Sequence, residues 1–220
     1  YFQVARCFRD EDSRADRQPE FTQLDLEMSF VEPKDVQTVV EGAFAAVFKE
    51  VKGIDLPLPL PRMTWKDAME KYGSDKPDTR YDMTISTVNE QVRGCGFSIF
   101  EQAVEGGQMV CAITAKQAAD RLSRKEMDAL GEFVKTYHVK GLAWMALQED
   151  GTVRSSFAKF FSEEKLKALL AHMDVQPGDA LFLIADKKPV ALTAMGQLRG
   201  RLARELGLID QSKDNLLWIT

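Results

Sequence analysis

The sequence predicts an α+β protein built from two parts of different character. Residues 1–8 and 21–31 alternate as two strands, and residues 33–53 repeat apolar side chains at helical spacing. Beyond about residue 82, short apolar strands are mixed with capped helices. Two strands close in sequence favour antiparallel pairing, and the mixed stretch is typical of an α+β or α/β domain. We therefore predict an antiparallel sheet with packing helices, followed by a separate α/β domain.

The composition is that of an ordinary globular chain. Of 220 residues, 29 are Lys or Arg and 34 are Asp or Glu, giving a net charge of −5, and 45% are hydrophobic. This excludes collagen-like and disordered classes and a chain that is basic throughout. No apolar run approaches the roughly 20 residues that span a bilayer, so we expect no membrane partner.

Cysteine usage and the N-terminus predict a cytoplasmic protein. Cys7, Cys95 and Cys111 form an odd set without a C-x-x-C pair, which is typical of structural thiols in a reducing compartment. The first residues lack the charged and apolar regions of a secretory signal and read as a strand in progress. The last residues also read as a strand, and we expect the chain to be a fragment of a longer protein.

The second strand has one polar and one apolar face. The polar face carries Phe21, Gln23, Asp25 and Glu27, and the apolar residues occupy the alternate positions. The charged loop 9–20 is too long for a tight hairpin and too charged to be buried unpaired. A long loop on a rigid strand pair is a common position for function.

The helix and turn signals follow in order along the chain. Pro33 begins the first helix, Gly53 ends it, and we expect its apolar stripe to pack in the core. That stripe comprises Val36, Val39, Val40, Ala43, Phe44, Val47, Phe48 and Val51. After a proline-rich extended segment, Thr64 caps a short helix that Gly73 ends.

The chain beyond about residue 82 carries further helix and turn signals. Ser123 and Glu126 fit a capping box, and Asp150-Gly151 predicts a hairpin turn. The remaining predicted elements are a buried strand at Gly141–Leu147, a helix from Ser162, a strand at Ala180–Ala185 and a helix at Pro189–Leu206. The region around the last helix is locally basic, and a solvated helix face explains its cations better than contact with a nucleic acid does. Those cations are Lys187, Lys188, Arg199, Arg201 and Arg204.

The first two predicted strands and the loop between them, called the hairpin below, carry side chains suited to a ligand with a base, a phosphate and an amine. Arg9 presents a planar guanidinium to a phosphate or carboxylate, and Glu11 can accept from an exocyclic amine. Phe21 could stack on a planar ring, while Asp25 and Glu27 could hold an ammonium group or a divalent cation. From residue types alone, a solvated hairpin of ion pairs explains the same charges.

Two nested motifs resemble a known family. Phe8-Arg9-Asp10-Glu11 fits the F-R-x-E of motif 2 in class II aminoacyl-tRNA synthetases. The run from Cys7 to Gln23 resembles the bacterial-type aspartyl-tRNA synthetases, and so does Tyr72-Gly73-Ser74-Asp75-Lys76-Pro77-Asp78. Segments 122–126, 140–144, 176–179 and 205–209 resemble the GAD domain inserted in those enzymes. The same domain occurs in tRNA-dependent amidotransferases, which are disfavoured because motif 2 precedes the insert here.

The resemblance implies roles for individual residues. Arg9 would be catalytic and would bind both the ATP α-phosphate and the aspartate carboxylate. The ATP-binding set it implies is Arg9, Asp10, Glu11, Gln18 and Phe21, with Glu11 on the adenine amine and Phe21 stacking on adenine. The aspartate-binding set it implies is Arg9, Gln23 and Asp25. Arg14 and Arg17 would contact the tRNA acceptor end, although pairing with Asp12 and Asp16 inside the loop explains them equally. No protein metal site is implied, and Mg²⁺ would accompany ATP.

The resemblance also implies an architecture and partners. Residues 1–82 would be part of the class II catalytic domain, 83–212 the GAD-like insertion domain, and 213–220 a return strand. The parent would be a homodimeric aspartate–tRNA ligase acting on ATP, L-aspartate and tRNA for aspartate or also asparagine. The fragment alone is expected to be inactive, because motifs 1 and 3 are not in it. The alternative is a non-catalytic tRNA-contacting or interaction module formed by the insert.

Overall fold

The computed structural model describes residues 1–13 and 17–220. They form two compact units, Tyr1–Leu60 and Pro61–Thr220, each of which mixes helices with antiparallel strands. The predicted α+β class is therefore confirmed. Within the described ranges, no helix combines the length and apolarity needed to cross a membrane.

A strand pair opens the first unit. Strand β1 (Phe2–Phe8) pairs antiparallel with β2 (Glu20–Leu26), in a register from Phe2 opposite Leu26 to Phe8 opposite Glu20. The N–H of Glu27 donates to the carbonyl of Tyr1 at 3.0 Å and closes the ladder. The predicted extension of the second strand to Val31 is wrong, because the strand ends at Leu26 and Phe30 has a φ of 58°, which is outside the extended region.

Helix α1 (Pro33–Lys52) has the predicted start and end. The Glu32 N–H donates to the Asp35 carboxylate at 2.9 Å, and Gly53 ends the helix with a φ of 69°. This left-handed backbone conformation favours glycine, because glycine has no Cβ to clash.

The predicted core stripe of α1 is wrong within the described chain. Val47 and Val51 are 56% and 78% exposed, whereas Glu41 is only 5% exposed. The chain after Gly53 contacts a neighbouring strip of the helix, where the Leu60 N–H donates to Glu41 Oε1 at 3.2 Å. The covered strip is thus displaced around the helix from the valine stripe.

A five-stranded antiparallel sheet forms the centre of the second unit. Its strands are β4 (Ser86–Thr87), β5 (Met109–Ala115), β6 (Ala143–Leu147), β7 (Val153–Ser155) and β8 (Ala180–Asp186). The spatial order is β4-β5-β8-β6-β7, and each neighbouring pair is antiparallel. The buried strand β8 therefore lies at the centre, as its continuous apolar run indicates.

Helices cover both faces of this sheet. Leu181 and Leu183 of β8 join one buried cluster, while Phe182 and Ile184 join another on the opposite face. The first cluster is completed by helices α3 (Asn89–Val92), α4 (Ser98–Glu105) and α6 (Glu163–His172). The second is completed by α5 (Arg124–Lys135) and α7 (Lys188–Glu205). The result is a three-layer α/β/α arrangement.

Shorter elements complete the second unit. Strands β3 (Arg62–Met63) and β9 (Trp218–Ile219) pair in parallel, and helix α2 (Trp65–Tyr72) follows β3. The Thr64 hydroxyl accepts from the Asp67 N–H at 3.0 Å, which confirms the predicted cap. Ser123 and Glu126 form the predicted capping box. The compact division falls between Leu60 and Pro61, and the domain boundaries at residues 82 and 212 stay predictions.

Arg199 is the clearest departure from the sequence prediction in this unit. The predicted solvated position is wrong, since Arg199 is 2% exposed. Its guanidinium donates to Met83 O, Asp78 O and Tyr81 Oη, each at 2.8 Å. It also lies 4.0 Å from the centroid of the Tyr81 ring. These acceptors compensate for burial of the charge and fasten the turn after α2 to α7.

The fold predicts that Gly196 tolerates no side chain. A Cβ at Gly196 would lie 2.7 Å from the carbonyl oxygens of Tyr72 and Gly73, where α2 approaches α7. We expect Gly196→Ala to lower the free energy of unfolding by about 1–3 kcal/mol, measured by urea denaturation. Gly200→Ala on the same helix is the control, because its Cβ would meet only Arg204 Nη1, at 3.6 Å. Equal stability of the two variants would contradict the close approach.

Candidate functional site

The register of the hairpin collects the predicted site residues on one face. Cys7 lies directly opposite Phe21, and Ala5 lies opposite Gln23. These four residues are partly buried, whereas their neighbours along the strands are exposed. Side chains alternate between faces along a strand, so one face of the pair carries the whole set.

Arg9 lies where this face meets the loop. Its N–H donates to the Pro19 carbonyl at 2.8 Å, which continues the strand pairing one step past β1. Its guanidinium carbon is 5.0 Å from the centroid of the Phe21 ring. A cation at this distance is attracted to the ring face. Arg9 and Phe21 are therefore held together although the loop between them is long.

Gln23 and Asp25 form a second contact on the same face. Gln23 Nε2 donates to Asp25 Oδ1 at 3.0 Å. The amide orients the carboxylate, and among the described residues no hydrogen bond or ion pair uses Asp25 Oδ2. Asp25 is exposed, so a small ammonium group could reach it from solvent.

The loop residues are held more weakly. Arg17 Nη1 lies 3.7 Å from Glu11 Oε2, and both side chains are partly exposed. Such exposed pairs contribute about 0–1 kcal/mol and are easily exchanged for a ligand. Asp10 and Gln18 are exposed, and within the described ranges no side-chain hydrogen bond or ion pair holds them. Arg14 lies outside the described residues, so its predicted role stays a prediction.

Cys7 is a neighbour that the sequence analysis treated only as a structural thiol. It is directly opposite Phe21 and is a free, partly buried cysteine. The sequence could have predicted this position, because alternation along the first strand places residues 5, 7 and 9 on one face. Cys7 therefore offers a probe of ligand binding beside Phe21.

The face joins a guanidinium, an aromatic ring and an open carboxylate. Among residues 1–13 and 17–220, no three His, Cys, Asp or Glu side chains converge as a metal site. The guanidinium suits a phosphate or carboxylate, the ring suits a planar base, and Asp25 suits an ammonium group. Chemically, the arrangement fits a nucleotide together with an amino acid.

Comparison with known families places the chain in a class. The family described as tRNA synthetases class II (D, K and N) matches residues 1–220. The chain therefore belongs to the class II tRNA synthetases of this group.

Individual relatives are more specific. The aspartate–tRNA(Asp/Asn) ligases of Bacillus cytotoxicus and Lachnoclostridium phytofermentans are each 52% identical to this chain over 220 residues. A Bacillus cereus protein of the same name is also 52% identical over the same length. Each match covers 100% of this chain and 37% of the relative, so the chain spans little more than a third of their length.

We expect one of the three thiols to react in the folded protein. Cys95 is 2% exposed and Cys111 is fully buried, and burial raises the pKa of both thiols, that of Cys111 to about 12. Because the thiolate is the nucleophile, a thiol reagent near pH 8 should modify Cys7 first. Peptide mapping by mass spectrometry measures the order. Cys7→Ser should leave the folded protein unreactive, and early modification of Cys111 would contradict the fold.

Proposed function

We propose that this chain is the motif 2 and insertion region of an aspartate–tRNA ligase. The observation that carries the proposal is the contact of Arg9 with Phe21 on one face of the hairpin. The family match and the names of the relatives support it. The proposed boundaries are 1–82 for the catalytic part, 83–212 for a GAD-like insert and 213–220 for the return strand.

The proposed reaction begins with activation of aspartate. A carboxylate oxygen of aspartate attacks the α-phosphorus of ATP, the bond to the bridging oxygen breaks, and pyrophosphate leaves. Arg9 offsets the negative charge that gathers on the α-phosphate and on the attacking carboxylate. A ribose hydroxyl at the 3′ end of tRNA then attacks the carbonyl carbon of the adenylate, the bond to the phosphate oxygen breaks, and AMP leaves.

The other residues bind and orient the substrates in this proposal. Phe21 stacks on adenine, Glu11 accepts from the adenine amine, and Gln18 contacts ATP next to Asp10. Asp25, oriented by Gln23, receives the ammonium group of aspartate. Arg14 and Arg17 contact the acceptor end of tRNA. For Glu11 and Arg17 this requires the exchange of their mutual ion pair for ligand contacts.

Magnesium and the remaining partners complete the proposal. Mg²⁺ is commonly held by substrate phosphates with one or two carboxylates, so the described residues fit a metal that arrives with ATP. It would neutralise phosphate charge when bound. The full-length protein is proposed to be a cytoplasmic homodimer, and the names of the relatives favour tRNA for both aspartate and asparagine.

A second candidate function is a non-catalytic module for tRNA or protein contact. Pro61–Thr220 has a sheet that is covered on both faces, whereas Phe2, Val4 and Leu24 of the hairpin are more than half exposed. A two-stranded hairpin alone is marginally stable in water. The second unit could therefore act as a module without the hairpin chemistry.

Binding of ATP to the 220-residue chain distinguishes the two candidates. We expect calorimetry with Mg²⁺ to detect weak binding that Arg9→Ala weakens by about tenfold or more, since a charge-assisted contact to phosphate is lost. Arg6→Ala is the matched control, because Arg6 lies in β1 shortly before Arg9 but pairs with Glu20 and packs on Phe8.

ATP should also protect Cys7. A base stacked on Phe21 would cover the thiol opposite it, so an ATP concentration just sufficient to saturate the unmodified chain should slow modification of its Cys7 and should protect Cys7 less in Arg9→Ala. Equal ATP affinity for the Arg9→Ala and Arg6→Ala variants would contradict the assigned role of Arg9. No ATP binding by the folded chain would favour the module.

A further inference from the structure

A cavity of about 210 Å³ opens at one end of the five-stranded sheet, within the second unit. It lies between the start of α4, the segment that leads into β6, and the end of β8. Most of its wall is apolar and includes Phe97, Ile99, Leu142 and Leu183. Ile99 is 56% exposed, so apolar surface extends from the cavity to solvent. Exposed apolar surface of this kind marks a binding site more often than a single exposed side chain does.

A pair of stacked rings borders this cavity. Phe97, which lines it, stacks on Phe160 with ring centroids 5.1 Å apart and planes inclined by 23°. Phe100 packs edge-on against Phe97 at 4.9 Å and is 1% exposed, which anchors the pair in the core. Phe160 remains 44% exposed. The pair therefore presents a rigid, partly exposed aromatic surface.

Two lysines flank the aromatic surface. Lys140 lines the cavity, and Lys159 Nζ lies 5.0 Å from the centroid of the Phe160 ring. In the part of the chain that the structure describes, neither lysine lies within 4.0 Å of a carboxylate. By contrast, Lys135 and Lys167 each form an ion pair with a neighbouring glutamate. The two lysines are thus available to an anion, while the nearby Glu101 carboxylate at the start of α4 accepts from the Gly96 N–H at 2.9 Å.

The wall also offers open hydrogen-bonding groups. Strand β6 begins at Ala143, opposite Leu183 of β8, so the preceding residues leave the ladder. Within residues 1–13 and 17–220, no hydrogen bond uses the backbone N–H or C=O of Gly141, which lines the cavity. A ligand with both a flat apolar face and a polar edge would use these groups as well as the rings.

We propose that this cavity binds an unpaired nucleobase of single-stranded RNA. One base enters beside Phe97 and meets the backbone of Gly141 with its polar edge. A neighbouring base stacks on the side of Phe160 away from Phe97 and displaces the Lys159 ammonium from the ring toward a phosphate. Lys140 and Lys159 contact the flanking phosphates. Aromatic side chains interleaved with cations are the usual means of binding single strands, and the accessible bases of a folded RNA lie in its loops and ends. The choice of RNA rests on the proposed function, whereas the side chains are separate from the hairpin.

Fluorescence anisotropy of a labelled eight-nucleotide RNA, titrated with the 220-residue chain at several salt concentrations, tests this site. Phe160→Ala should weaken binding by about tenfold through loss of one stacking contact. Gly141→Leu should weaken it similarly, because Gly141 lines the cavity, a Cβ there meets no atom within 4 Å, and a leucine would add bulk at the wall. Lys140→Ala and Lys159→Ala should each reduce the slope of log K against log salt by about 0.7.

Lys125→Ala is the matched charge control, since Lys125 belongs to α5 on the opposite face of the sheet. It should leave RNA affinity unchanged. Every variant should still unfold cooperatively, with a lower midpoint for Phe160→Ala because it loses the stack on Phe97. ATP binding of all variants should equal that of the unmodified chain, which separates this site from the hairpin. RNA binding that Phe160→Ala and Gly141→Leu do not weaken would overturn the proposal. So would binding of an acidic apolar peptide in place of RNA, or self-association that Gly141→Leu abolishes.

Discussion

The register between β1 and β2 is the constraint on which the hairpin site depends. A slip of one residue would move Phe21 and Gln23 to the opposite face, away from Cys7 and Arg9. The long charged loop does not impose this register as a two-residue turn would. It is imposed by the ladder itself, which extends from the Arg9 N–H bonded to Pro19 to the Glu27 N–H bonded to Tyr1. Formation of the strand pair therefore also brings the candidate site residues together on one face.

Features encoded within a few residues were predictable. The caps at Thr64 and Ser123 and the left-handed Gly73 follow from local hydrogen bonding and sterics, which the neighbouring sequence contains. The buried strand β8 was also predictable, because its apolar run is short and bounded by turn residues. On the hairpin, strand alternation alone predicted that Phe21, Gln23 and Asp25 share a face.

Features that depend on distant partners were not predictable. The burial of Arg199 requires carbonyl groups more than a hundred positions earlier in the chain. Strand β5, a short apolar run like β8, was not predicted, and its place beside β8 depends on pairing with residues far later in the chain. Arg17 pairs with Glu11 rather than with Asp12, since several carboxylates in one loop compete for it and geometry decides. The covered strip of α1 likewise depends on where the following chain returns.

The parallel pairing of β3 with β9 has a mechanical consequence. The Trp218 N–H donates to Pro61 O, the Thr220 N–H donates to Met63 O, and the Trp65 N–H donates to Thr220 O, at 2.8–3.0 Å. Because the two strands run in the same direction, tension applied across the two ends of this unit pulls them past each other lengthwise. These hydrogen bonds are then loaded together in shear, and they cannot open one by one as in a peeled hairpin. A short pair of strands thus acts as a clamp that resists stretching before the sheet behind it is strained.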